Sequence, residues 1–220
     1  MGNRKTSQGG LITPEATCAL CPRLVEYRKD NAADHPQWHN GPVSSFGELD
    51  ARLLIVGLAP GLKGANRTGR PFTGDYAGDL LYQTLPDFGL AKGVYGASAA
   101  DGLSLVDCRI TNAVRCVPPQ NKPTIDEARA CRGFLESEIA AMRRLKVILA
   151  LGTLAHRSVI TMFGLKQSNF PFGHGASHPL DNGLVLVDSY HCSRYNTQTR
   201  RLTAEMFADA FHKIKCIINK

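Results

Sequence analysis

The residues whose types and spacing can do chemistry fall into two groups. The first is cysteine. Cys18 and Cys21 form a Cys-x-x-Cys pair in a polar segment, and Cys116 and Cys131 bracket a proline loop and a helix start. Thiolates are soft ligands that suit zinc or an iron–sulfur cluster. Two such pairs brought together would make a four-cysteine site. The Cys-x-x-Cys is not repeated as in a zinc ribbon, and spacing alone does not choose between zinc and iron. A Cys-x-x-Cys in a polar segment has little packing use, so Cys18 and Cys21 read as ligands. Cys116 and Cys131 taken singly fit a ligand or a small buried hydrophobe equally well. Cys108, Cys192 and Cys216 are expected to be buried.

The second group is polar. Gly57-Leu58-Ala59-Pro60-Gly61 follows an apolar run, where glycine lets the backbone approach a ligand closely. The loop lacks the Gly-Lys-Ser/Thr of a phosphate-binding loop and a spaced Gly-x-Gly-x-x-Gly, which argues against a nucleotide cofactor. Asn112 carries a donor and an acceptor on one amide, or simply ends a strand. Asp75 follows a glycine, where it can act on a proton or cap a helix. His191 lies in a polar segment close to the C-terminal helix.

Positioning these groups requires a sheet. Leu53–Gly57 and Val147–Gly152 are continuous apolar runs, as expected of strands buried on both faces. Arg109–Val114 and Leu184–Val187 are further strands. Helical patterns cover 75–85, the stretch from the capping box Thr124-Ile125-Asp126-Glu127 to about Met142, a stretch ending at Gly164, and Thr203–Ile218. Strand and helix alternate, which gives a three-layer α/β/α sandwich around a four-stranded parallel sheet, in one domain over 1–220. Ligands belong at the carboxyl ends of such strands. The glycine loop, Thr111-Asn112 and Ser189–Asn196 all begin there. Residues 1–16 read as a loose polar leader and 30–50 as a long loop.

The chain has 220 residues, 26 Lys plus Arg against 19 Asp plus Glu, and a net charge of +7, which suits a polyanionic partner. Its apolar runs are too short to span a membrane, and no secretory signal is visible. Met1-Gly2-Asn3-Arg4-Lys5-Thr6 fits a loose myristoylation pattern that nothing nearby supports. Seven cysteines at uneven spacing argue against a secreted disulfide framework, so a cytoplasmic location is expected.

The sequence resembles the uracil-DNA glycosylase superfamily, in its iron–sulfur family 5 (type b) branch. The resemblance is carried by the loop 57–61, by Gly64-Ala65-Asn66-Arg67-Thr68-Gly69-Arg70-Pro71-Phe72-Thr73-Gly74-Asp75, by Thr111–Pro119 and by Tyr190–Thr199. It implies a 4Fe–4S cluster on Cys18, Cys21, Cys116 and Cys131. It also implies a monomer that removes uracil and other altered bases from double-stranded DNA, with single-stranded DNA as a further form. Phe72 would stack on the extruded base, Asn112 read its edge, His191 stabilise it as it leaves, and Asp75 position water. Gly57, Leu58, Ala59 and Gly61 would line its pocket. Ser193, Arg194 and Asn196 would touch or wedge the duplex, and Lys63, Arg67 and Arg70 would meet phosphates.

Four positions stand apart, one from the family's own pattern and three from that of other branches. Cys192 replaces the usual proline after the histidine. Leu58 stands where the sister family 4 is acidic, and Ala59 where the best-known branch has aspartate. Gly61 replaces that branch's tyrosine, which bars thymine, so a broad base range is expected. A bulky residue at Gly61 is expected to narrow that range more than it slows uracil removal. Competing readings are a glycosylase acting mainly on deaminated purines such as hypoxanthine, a nonenzymatic metal-containing nucleic-acid-binding protein, and an electron-transfer protein. The last has no use for the basic surface or the long loops. Asn112, Asp75 and His191 together disfavour the nonenzymatic protein.

Overall fold

A computed structural model describes residues 6–8, 10–180 and 183–219. In chain order the strands are β1 (Thr6–Gln8), β2 (Leu11–Thr13), β3 (Leu53–Gly57), β4 (Ala91–Lys92), β5 (Ser104–Leu105), β6 (Cys108–Asn112), β7 (Val147–Leu151), β8 (Ser177–Pro179) and β9 (Val185–Ser189). The helices are α1 (Pro22–Asp34), α2 (Ala65–Thr68), α3 (Tyr76–Asp87), α4 (Ile125–Ala141), α5 (Thr153–Met162), α6 (Arg194–Gln198) and α7 (Ala204–Ile218).

The central sheet runs β6-β3-β7-β9-β8. The first four strands are parallel, and β8 pairs antiparallel with β9. The sheet therefore has five strands, not the four expected. The extra one, Ser-His-Pro, carries no apolar alternation, and its proline is tolerated because the strand lies at an edge. Successive side chains of β3 point to opposite faces. Leu53 and Ile55 pack with Leu81, Phe207 and Phe211, on the side of α3 and α7. Leu54 and Val56 pack with Leu135 and Val159, on the side of α4 and α5. These are the three layers expected. Among the described residues no helix is long and apolar enough to cross a membrane.

The expected loose leader needs correction in its described part. β1 and β2 pair as an antiparallel hairpin, and the Ile12 N–H donates to Ser137 Oγ on α4 at 2.7 Å. Residues 1–5 of that leader, with the myristoylation pattern, lie outside the described residues. Helix α1 runs into the expected long loop, covering 30–34, and also takes in 22–29, for which no element was expected. Cys21 is its N-cap and Pro22 its first residue, where a missing N–H costs nothing. Helix α4 begins with the expected box, Thr124 and Glu127 capping each other.

Candidate active site and cysteine corner

Parallel strands deliver their carboxyl ends to one edge. In register, Gly57 of β3 sits beside Asn112 of β6, and Leu151 of β7 beside Ser189 of β9. The loops leaving these ends enclose a cleft of about 600 Å³ lined by Leu58, Ala59, Gly61, Lys63, Phe72, Asp75, Tyr76, Asn112, His191, Ser193 and Arg194, among others. That volume lies within the range of small-molecule pockets, roughly 300–1,000 Å³.

Close packing fixes the cleft wall. A Cβ on Gly57 would lie 2.4 Å from Asn112 Oδ1 and 2.5 Å from the Phe72 ring. Gly57 is thus not a lining residue as expected; its bare Cα lets the amide and the ring meet. Asn112 is 4% exposed, and its carboxamide has no protein partner among the described residues. Phe72 holds a left-handed backbone (φ 54°), a conformation a bulky residue adopts only when its surroundings impose it. Its ring centroid stands 6.0 Å from that of His191 at an interplanar angle of 30°.

Asp75 is the N-cap of α3, its Oδ1 accepting the Gly78 N–H at 3.3 Å. Burial raises its carboxyl above the ordinary carboxylate range, against the pull of the Gly78 and Ala77 amides. The other oxygen, Oδ2, occupies space left by two glycines. A Cβ would meet it at 2.7 Å on Gly61 and at 2.2 Å on Gly64. The expected effect of a bulky residue at Gly61 is corrected here. A side chain at 61 would run into Asp75, so it would disturb that carboxylate as well as the base range.

Burial pushes the His191 imidazole down to about 4, so the ring is neutral near pH 7. The ring makes no hydrogen bond among the described residues, and the loop carrying it is held from behind. Asn196 Nδ2 donates to the His191 carbonyl at 2.8 Å. Asn196, expected at the DNA, thus commits its amide N–H to the loop itself. His174 accepts the Tyr190 N–H on Nδ1 at 3.2 Å, donates from Nε2 to the Met206 carbonyl at 3.1 Å, and stacks on the Tyr190 ring. These contacts fix the loop around Cys192, which is fully buried and stands where the resemblance leads one to expect a stiffer proline.

At the rim, Ser193 caps α6, and the Arg194 guanidinium lies over the Tyr76 ring at 5.2 Å. Tyr76 was missed in the sequence; an aromatic directly after Asp75 was the available signal. Lys63 and Arg67 are exposed. Arg70 is not a phosphate contact. It makes a bidentate pair with Asp101 at 2.7 Å, the two side chains 6% and 5% exposed, and donates to Thr73 Oγ1. Cys108 and Cys192 are buried as expected, whereas Cys216 is exposed on α7.

On the far side of Ala59, Cys18, Cys21, Cys116 and Cys131 surround one small cavity, with Arg28 and Arg115 in its wall. All four are free thiols. Burial, and then the other cysteines and Glu127, push Cys21 up to about 11; burial carries Cys116 to about 12 and raises Cys131. Ionising them together requires a cation among them. The corner fits an anionic sulfur-rich group. Among the described residues, three buried side-chain polar atoms lack a partner, and two of them are Arg28 Nε and Arg115 Nε. In addition, the Arg115 backbone N–H donates to Cys131 Sγ at 3.4 Å. The sulfurs are also spread out. Among the described residues only His156, His178 and Asp188 bring three ligand atoms within 4.8 Å of one another. A single zinc at about 2.3 Å from each sulfur would need a tighter set.

A parallel sheet gathers a half-buried carboxylate, a carboxamide without a protein partner among the described residues, an aromatic ring and a neutral imidazole in one cleft, beside a four-cysteine corner, an arrangement suited to an enzyme of three-layer α/β/α architecture acting on a ligand drawn into that cleft. A family model described as the uracil DNA glycosylase superfamily matches residues 44–215. The type-5 uracil-DNA glycosylase of Thermus thermophilus is 46% identical over 204 residues, 90% of this chain and 92% of its own. That of Mycobacterium tuberculosis is 42% identical over 209 residues (91% and 78%), and that of Pyrobaculum aerophilum 38% over 200 (89% and 87%). The chain belongs to the uracil DNA glycosylase superfamily, in its type-5 branch.

Proposed function

We propose that this chain hydrolyses the N-glycosidic bond of uracil in DNA and leaves an abasic site. The observation that carries the reading is the convergence of Asn112, Phe72, Asp75 and His191 on one cleft, with the Asn112 amide and His191 ring free to bind a ligand. The base leaves the stack and enters the cleft. Asn112 donates to the carbonyl at position 4 of uracil and accepts its ring N–H; cytosine presents the opposite pair. Phe72 stacks on the base, a contact worth ~1–3 kcal/mol. As the bond from base to sugar breaks, negative charge grows on the second carbonyl. The neutral His191 donates a hydrogen bond there, stronger in the transition state than in the ground state. Asp75 orients water and takes its proton as oxygen bonds to the sugar carbon. The proton ends on the departing base. Lys63, Arg67, Ser193 and Arg194 meet the DNA backbone at the rim.

The type-5 relatives are uracil-DNA glycosylases, which supports uracil in DNA as the substrate. The range extends to hypoxanthine and other altered bases, because Leu58, Ala59 and Gly61 bring no polar side chain to the cleft. Double-stranded DNA is the main substrate and single-stranded DNA a further one, acted on by a monomer in the cytoplasm at the nucleoid. Cys18, Cys21, Cys116 and Cys131 hold a 4Fe–4S cluster. When bound, it ties the segment before α1, the loop after β6 and helix α4 together.

The test is a panel of duplexes bearing uracil, hypoxanthine, thymine opposite guanine, or 5-substituted uracils, scored for alkali-labile abasic sites. Uracil should be cut fastest and hypoxanthine more slowly. Folded, metal-loaded protein that leaves uracil intact would refute the activity, and strict rejection of every other base would refute the broad range. Anaerobically purified protein should contain about four irons per chain; stoichiometric zinc without iron would refute the cluster.

A further inference from the structure

We infer that Arg28 and Arg115 donate their Nε–H groups to sulfurs of the cluster held by the four cysteines, and so raise its reduction potential. The inference rests on the cluster reading above. A buried N–H without a partner costs about 1–3 kcal/mol, more when the group is charged. Both guanidiniums are otherwise well satisfied. Arg28, 7% exposed, donates to the carbonyls of Ala16 and Cys18, the latter at 2.7 Å. Arg115, 3% exposed, donates to Ser45 Oγ at 2.7 Å and to Glu138 Oε2. Only the Nε of each lacks a partner, and both side chains line the cysteine cavity. They come from different elements, α1 and the loop after β6, so the coincidence is one of place and not of local sequence. Sulfur in that cavity supplies the missing acceptor.

The charges agree. Glu138 binds Arg109 as well as Arg115, leaving two guanidiniums on one carboxylate. Among the described residues Arg28 has no acidic partner in any ion pair. The corner thus carries excess positive charge beside four thiolates. A cation and an N–H donor at the sulfurs both favour the more reduced cluster, so removing either moves the potential negative for any one-electron couple.

The experiment uses holo protein grown with arginine carrying ¹⁵N in the guanidinium. Metal analysis comes first: absence of iron removes the cluster reading itself and is recognised before any spectrum is taken. With iron present, pulsed EPR of the one-electron-reduced cluster should show ¹⁵N nuclei weakly coupled to it. Absence of any ¹⁵N coupling overturns the inference. Voltammetry of Arg28→Gln and Arg115→Gln should give more negative potentials than wild type. Arg28→Lys, which keeps the charge and loses the Nε–H, should fall between wild type and Arg28→Gln. Potentials unchanged in both glutamine variants at full iron content overturn the inference as well. If a variant loses its iron, the wild-type spectrum decides.

Discussion

Replacing Gly61 by alanine tests whether Asp75 acts from the position it occupies. The added methyl would stand 2.7 Å from Asp75 Oδ2, whereas ordinary contact begins at 3.4 Å. The carboxylate must therefore retreat by about 0.7 Å. It is the free end of a side chain, so the shift is inexpensive, and no left-handed backbone stands against alanine at 61. Stability should hold. Rate should not, because a displacement of about 1 Å at a reacting group can cost a factor of ~10². We expect Gly61→Ala to slow single-turnover uracil release about 10- to 100-fold, with melting temperature and affinity for abasic DNA near wild type. A double-mutant cycle isolates the cause: in an Asp75→Ala background the same change should cost little more. Wild-type turnover in Gly61→Ala, or an undiminished loss in that background, would refute the role given to Asp75. Gly64→Ala is the contrast. Its methyl would press Oδ2, Cγ and Cβ of Asp75 at 2.2, 2.7 and 2.8 Å, so the helix cap itself must move. That variant should lose stability as well, by about 1 kcal/mol for the cap alone.

Four further outcomes concern His191, Asp75 and Arg70. His191→Ala should lower the single-turnover rate by a factor of order 10² or more while sparing affinity for abasic DNA; equal losses would make the histidine structural. Because burial holds His191 near 4 in the folded protein against 6.5 unfolded, only the unfolded chain takes up its proton between those values. Stability is therefore lost as pH falls from 6.5 to 4, by up to about 3 kcal/mol, and a melting series should show His191→Asn escaping this loss. The raised Asp75 carboxyl places the acid limb of kcat/KM above the range of an ordinary carboxylate, since activity needs the charged form. Asp75→Asn should abolish that limb and slow cleavage with the fold intact, whereas early melting with full turnover would leave the residue only a cap. Arg70→Ala strands Asp101 without its partner and should destabilise by about 3–5 kcal/mol; a small change in melting temperature would count against a structural pair.

The parts of the fold legible in the sequence are those whose burial leaves a local pattern. Leu53–Gly57 and Val147–Leu151 are buried along their whole length and read as unbroken apolar runs. The start of α4 is written in its box. Strand β8 left no such trace, since three residues at a sheet edge need neither alternation nor β-branched side chains. Helix α1 went unread because the Cys-x-x-Cys before it reads as a ligand knuckle, although Pro22 directly after Cys21 was the available sign of a helix start.

The site divides along a different line. Residue types suited to the chemistry could be picked out, but the direction of a side chain could not, because direction depends on partners distant in the chain. Arg70 among glycines and polar residues reads as a surface cation, yet its carboxylate partner lies 31 residues on. Asn196, in a segment that resembles a DNA contact, spends its amide on a backbone carbonyl. Gly61 and Gly64 mark a close approach, as glycines in a loop suggest, but part of what approaches them is the chain's own Asp75. Loop and carboxylate therefore form one fitted unit. A substitution that narrows the cleft at position 61 also moves the group proposed to handle water, so base range and rate are not expected to change there independently.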